Sequence, residues 1–170
     1  MMPWLLLAAA AGLGALATRA KRGPMGLTQD DLLWLGRALV GETGASSERA
    51  MAAVAWAMYQ RWQQLGRSRG RSFTWMLQAY CQPINPKWAS LAAEGCRAHP
   101  ELCTPAHLSR RSRITGLTWN NLPLAVRSFV ERFGRGAVAN PVPGMIDFAA
   151  FSFNGEQTVI DGNHFGTRRA

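Results

Sequence analysis

One carboxylate stands out by its surroundings. Glu42 lies in "LVGETG" (Leu39–Gly44), between two glycines and just ahead of the alanine-rich run "ASSERAMAAVAWAMYQRW". The pattern places it in a flexible corner where one helix has ended and a second is about to start, against Leu, Val and Trp side chains. Partial desolvation in such a corner raises a carboxyl pKa, at ~1.4 kcal/mol per unit. A carboxyl that keeps its proton near neutral pH can deliver it to a leaving oxygen and take one back as a base. The other reading of Glu42 is a solvated acid at a helix end. Thr43 either orients the Glu42 carboxyl through a hydrogen bond or serves as a turn residue. Downstream, Tyr80, Gln82 and Trp88 in "AYCQPINPKW", and Asn163 and His164 in "DGNHFG", supply ring faces, amides and an imidazole. Each of these also has an ordinary use in core or loop packing.

The elements that must position these groups are mostly helical. Thr28 caps a first helix with Asp30 and Asp31 at the positive end of its dipole, and Leu32, Leu35, Leu39 and Val40 form its apolar side. Ser46 or Ser47 caps a second, with Met51, Val54, Met58, Trp62 and Leu65 at helical spacing and alanines between them for close packing. The basic stretch "GRSRGRS" ends it. Ser72 opens the short helix "FTWMLQAY", and "CQPINPKW" reads as an extended, proline-fixed segment. Leu91 to Asn120 reads as irregular apart from a short helix at Ala89–Cys96. Periodicity returns through Leu124, Val126, Phe129, Val130 and Phe133, with Gly134 as terminator. The turn-rich remainder carries Phe148, Phe151 and Phe153, the first two read as core, and a hairpin at "NGEQ".

The order of these blocks resembles the cell-wall hydrolase family that includes the spore-cortex-lytic enzymes. "LGRALVGETGASSERAMAAVAWAMYQR" is similar to that family's helix ending in Gly-Glu, glycine-containing turn, and Ala- and Val-rich helix closed by an Asn-Arg or similar pair, here Gln60-Arg61. Glu42-Thr43-Gly44 also looks like the Glu-Ser-Gly signature of lytic transglycosylases, which share the lysozyme-like fold. "FTWMLQAYCQPINPKW" occupies the place of the family's Gln-containing cleft loop, and "NPVPGMIDFA" and "DGNHFG" resemble its two His-Phe elements. The likeness runs from about Leu27 to Gly166. Asp147 stands where the family would have His, and Asn163-His164-Phe165 lacks the family's spacer before the aromatic.

The resemblance implies a mainly α, lysozyme-like domain with a small loop and β-hairpin cap. It implies cleavage of the β-1,4 bond between N-acetylmuramic acid and N-acetylglucosamine, with Glu42 as the single acid and base. The nucleophile is then water (muramidase) or the muramic C6 hydroxyl (lytic transglycosylase). Thr43, Tyr80, Gln82, Trp88, Asn163 and His164 become sugar contacts. Glu48, Asp147, Glu156 and Asp161 are the candidates for a second carboxylate, none of them obvious, which favours the transglycosylase branch slightly. No metal or cofactor is implied. The rival is a non-catalytic virion or envelope structural protein that binds glycan or DNA.

At 170 residues and 48% hydrophobic, the chain fits one compact domain (27–170) behind an N-terminal appendage (1–26). The 19 basic against 10 acidic residues, net +9, suit a polyanionic partner such as the cell wall or anionic lipid, or amount to a solvated arginine-rich surface. No nucleic-acid module accompanies the charge, so nucleic acid is not the expected partner. The scattered His99, His107 and His164 and the absence of CxxC exclude a zinc signature. Cys96 and Cys103 either close a short disulfide or remain, with Cys81, separate thiols. "PWLLLAAAAGLGALAT" (Pro3–Thr18) is uncharged, shorter than the ~20 residues of a spanning helix, and followed by Arg19, Lys21 and Arg22. It reads as a signal or membrane-anchor segment, with "ALA" at Ala15–Ala17 suited to cleavage, or as a buried hydrophobic helix. The expected location is the cell envelope, periplasmic or membrane-anchored, or a phage virion with other virion proteins as partners.

Overall fold

The computed structural model describes residues 22–150 and 152–167. The hydrophobic run at 3–18 and Phe151 lie outside the described residues. The chain is mainly helical with one small antiparallel sheet. Its helices are α1 (Gln29–Thr43), α2 (Glu48–Arg61), α3 (Phe73–Tyr80), α4 (Glu94–Ala98), α5 (Pro105–Thr115) and α6 (Leu124–Gly134). Strands β1 (Asp147–Ala149), β2 (Glu156–Ile160) and β3 (Asn163–Gly166) pair in the order β1-β3-β2. Among the described residues no helix is long and apolar enough to cross a membrane.

Helix α2 is the centre. Met51, Ala52, Ala53, Val54, Ala55, Ala57 and Met58 are all buried, so the helix is covered on nearly every side, as small side chains permit. Helices α1, α3 and the sheet pack on it, and α6 packs on α1. Leu35 and Leu39 of α1, Phe73 and Leu77 of α3, and Phe129 and Phe133 of α6 complete the core. Tyr59, Trp62 and Phe73 meet ring against ring, with centroids 5.6–6.0 Å apart.

The caps read from the sequence are in place. Thr28 Oγ1 accepts from the Asp31 amide, and the Asp31 carboxylate accepts from the Thr28 amide in return. The same carboxylate accepts from the Thr74 amide and hydroxyl, both at 2.9 Å, which fixes the start of α3 against the start of α1. Ser47 caps α2 and Ser72 caps α3.

Several elements differ from expectation. Helix α1 does not stop before Glu42: it continues to Thr43, with Gly44 as its left-handed C-cap. After α2 the helix widens into a π-turn at Trp62–Gly66, which shifts the side-chain phase, so Leu65 faces outward instead of joining the core. "CQPINPKW" is not extended but forms two 3₁₀ turns, Gln82–Ile84 and Pro86–Trp88. The short helix expected at Ala89–Cys96 is α4, beginning at Glu94, and the segment read as irregular also holds α5. Gly134 is still helical, and the reversal comes at Gly136 (φ 73°). The hairpin turns at Asp161-Gly162, with φ of 50° and 80°, and not at "NGEQ"; two successive positive φ values make the tight turn that matches strand twist. Gly23 to Gly26, read as the end of the N-terminal appendage, packs on the domain: Tyr59 donates to the Met25 carbonyl.

Cys96 and Cys103 form a disulfide that ties α4 to the end of the turn after it, while Cys81 is a buried free thiol. Replacing both bridged cysteines by serine is expected to cost about 2 kcal/mol, the loop-closure term for so short a loop. Thermal unfolding with and without reductant checks this; no difference would mean the bridge constrains nothing.

Candidate functional site

The last turn of α1 presents Glu42, half-buried, to an open groove of about 390 Å³. Tyr80 and Gln82 face it from the end of α3 and the turn that follows, Asn85 and Trp88 from the second 3₁₀ turn, and Phe148 and Asn163 from the sheet. Glu42 is therefore brought together with Tyr80, Gln82, Trp88 and Asn163 from five separate elements.

The glycine before Glu42 is what lets the opposite wall approach. A Cβ on Gly41 would overlap the Pro83 ring, whose Cγ lies 2.8 Å from that position. A proline ring has no far end to swing away, so Gln82-Pro83 can lie against α1 only over a glycine. Gly41→Ala is expected to cost about 1–3 kcal/mol through overpacking. Unchanged stability in chemical unfolding would refute this account of Gly41.

Two expected contacts are elsewhere. The Thr43 hydroxyl donates to the Leu39 carbonyl at 2.8 Å and accepts from the Ala45 amide at 3.1 Å. It closes the end of α1 and does not orient the Glu42 carboxyl. His164 follows Asn163 in β3, and strand alternation puts it on the other face of the sheet. There its Nδ1 meets the Glu156 carboxylate at 2.7 Å. Hydrogen bonds from Ser152 and then His164 hold the Glu156 carboxyl below its ordinary range. The other second-acid candidates are also away from the groove. Glu48 pairs with Arg132 at 2.8 Å, Asp147 pairs with Arg61, and Asp161 sits in the hairpin turn. Among the described residues that line the groove, Glu42 is the one acid.

The pair Gln60-Arg61 has a structural task that the sequence did not reveal. The Gln60 amide donates to the carbonyls of Val142 (2.9 Å) and Met145 (2.7 Å), and its oxygen accepts from Asn140 (3.1 Å) and the Gly144 amide (2.7 Å). All of its hydrogen-bonding capacity goes into one loop. Arg61 donates to the Ile146 carbonyl and the Asp147 carboxylate, and its guanidinium carbon lies 3.8 Å from the centre of the Tyr80 ring. The end of α2 thus holds both the sheet and a groove-lining aromatic. Asn85 and Phe148 were missed as well; the Asn85 side-chain amide also donates to the Ala79 carbonyl, which fixes that side chain beside Tyr80.

Electrically, Glu42 and Arg61 both act on the buried Cys81 thiol. Burial raises its pKa well above the usual value, the Glu42 charge raises it further, and Arg61 lowers it. Trp88 is held from behind, its carbonyl accepting from Arg111 at 3.2 Å and its ring 6.1 Å from that of His99. Among the described residues no group of His, Cys, Asp and Glu could hold a metal ion. The arrangement is suited to proton transfer by one carboxyl in an open groove lined by aromatic faces and side-chain amides. The chain matches no protein-family model, no curated protein and no solved structure.

Proposed function

We propose that the chain is a peptidoglycan-cleaving glycosidase of lysozyme-like fold that cuts the β-1,4 bond between N-acetylmuramic acid and N-acetylglucosamine. The observation that carries this reading is Glu42 as the acid of a groove walled by Tyr80, Trp88, Gln82, Asn85 and Asn163. Tyr80 and Trp88 offer flat apolar faces for pyranose rings, and the three amides both donate to and accept from N-acetyl groups. Glu42 protonates the glycosidic oxygen as positive charge develops at the sugar carbon, then withdraws a proton from the incoming nucleophile. An inverting or double-displacement mechanism needs a second carboxylate across the bond. The groove's single acid instead favours attack by the muramic C6 hydroxyl, already tethered to the reacting sugar, which makes the enzyme a lytic transglycosylase. The net charge of +9 suits an anionic envelope surface. A role at the envelope or on a virion that opens the wall locally is consistent with it.

The test is digestion of purified peptidoglycan with mass spectrometry of the released fragments. Anhydro-muramic ends are the expected product, and reducing muramic ends would mean that water is the nucleophile. No fragments from any wall type would overturn the reading.

A further inference from the structure

Past Gln82, the groove wall continues into a second recess of about 160 Å³. Its floor is one face of α5, where His107, Arg110, Arg111 and Ile114 follow the i, i+3, i+4, i+7 spacing of a single helix side. Gln82 lines both recesses. Arg110 donates from Nη2 to the Gly41 carbonyl at 2.9 Å, so its guanidinium sits one peptide unit from Glu42. Arg111 donates from Nη1 to the carbonyls of Trp88 and Leu102, both at 3.2 Å.

Both guanidiniums are thus held by backbone carbonyls through one nitrogen, with the remaining N–H groups left for a ligand. Neither forms an ion pair among the described residues. Burial, and then the neighbouring Arg110 charge, lower the Arg111 pKa, so a partly desolvated guanidinium sits in the field of a second positive charge. An anion in the recess that both line is attracted by the two charges, and a carboxylate fits the planar guanidinium fork.

We propose that this recess is a subsite for a carboxylate carried by the muramic residue, beside the bond that Glu42 cuts. The inference rests on the glycosidase reading and narrows it. The substrate is glycan whose muramic units are charged, and a neutral chitin-type oligomer lacks the group the recess is built for. The carboxylate is either the lactyl acid of a bare muramic residue or the acid at the end of its stem peptide.

The test uses the full chain carrying Glu42→Gln, which binds without turnover, and follows arginine Nε–H signals by NMR. The probes are N-acetylmuramic acid, muramyl-L-alanyl-D-isoglutamine, the carboxamide of each, and chitotriose. At least one carboxylate probe is expected to bind about tenfold or more tightly than its own carboxamide, the scale of a hydrogen bond to a charged group, and to shift the Arg110 and Arg111 signals. Which probe does so identifies the source of the acid. Adding Arg110→Gln should remove the preference, and raised salt should weaken it. Equal binding of acid and amide, or a preference that survives Arg110→Gln, overturns the subsite. Wall lysis by the unmutated chain is scored separately. Carboxylate binding without lysis would retain the recess and reject the enzyme, whereas lysis with no carboxylate preference would do the reverse.

Discussion

Glu42→Gln is expected to reduce wall lysis by about 10²–10⁴, the range for loss of a positioned general acid. Glutamine keeps the shape and a hydrogen-bonding oxygen but has no proton of the right acidity to give to the leaving oxygen. The loss should fall on the chemical step, since Tyr80, Gln82, Asn85, Trp88 and Asn163 remain to hold the glycan. Sedimentation with insoluble peptidoglycan should therefore show binding within a fewfold of the unmutated chain, while the turbidity assay shows almost no clearing. Glu42→Asp separates proton donation from reach. It keeps the acid but withdraws it by one methylene, and a near-attack geometry lost by about 1 Å can cost on the order of 10² in rate. Stability should hold or rise in Glu42→Gln, because a half-buried functional carboxylate is often retained at the expense of stability. A variant that clears walls at more than a tenth of the original rate would remove Glu42 from the mechanism. If wild-type lysis is present and the variant neither binds nor folds, the groove and not the proton is at fault, and Glu42→Asp would show the same defect.

The parts of this site legible in sequence were those with local causes. Thr28, the pair Ser46-Ser47 and Ser72 announced three helix starts because a capping side chain acts within three residues, and Ser47 is the member of the pair that caps. Tyr80, Gln82 and Trp88 share one short segment, so its place in the chain groups them, although its backbone, read as extended, folds into two 3₁₀ turns. Helix α5 was harder to see because only Ile114 of its residues is buried, leaving no apolar period. Its real signal was Thr104 followed by Pro105, a cap and a proline at the first helical position. The Asp161-Gly162 dipeptide was an equally clear hairpin signal, passed over for the neighbouring Asn154-Gly155. His164 was misplaced because one residue of strand register decides which face a side chain takes. Gly41 against Pro83, and Gln60-Arg61 against the loop before β1, were hidden for a different reason. Their partners lie far along the chain, and no local pattern encodes a close approach.

The remaining large effect follows from Arg61. Asp147→Ala is expected to destabilise the fold by about 3 kcal/mol, the lower part of the range for breaking a buried ion pair, and to lower Tm by roughly 6–12 °C at 2–4 °C per kcal/mol. The two side chains are 15% and 10% exposed, so little water reaches the guanidinium when its carboxylate goes. Arg61 Nε is already buried without a hydrogen-bond partner among the described residues, so losing the carboxylate adds to an existing deficit. The consequence should extend beyond stability. Asp147 opens β1, β1 pairs with β3, and β3 carries Asn163 to the groove, while the guanidinium itself braces the Tyr80 ring. Both groove walls therefore depend on one ion pair, and lysis should fall even at temperatures where the variant stays folded. Asp147→Asn keeps an acceptor oxygen and should lose less. Arg61→Met with Asp147→Leu should recover most of the stability, as apolar replacements of buried pairs do, yet not the rate, because nothing then braces Tyr80. Chemical unfolding and turbidity assays on the same samples separate the two effects. An Asp147→Ala variant within about 0.5 kcal/mol of the original, the range of ordinary surface substitutions, would show that the pair holds neither wall.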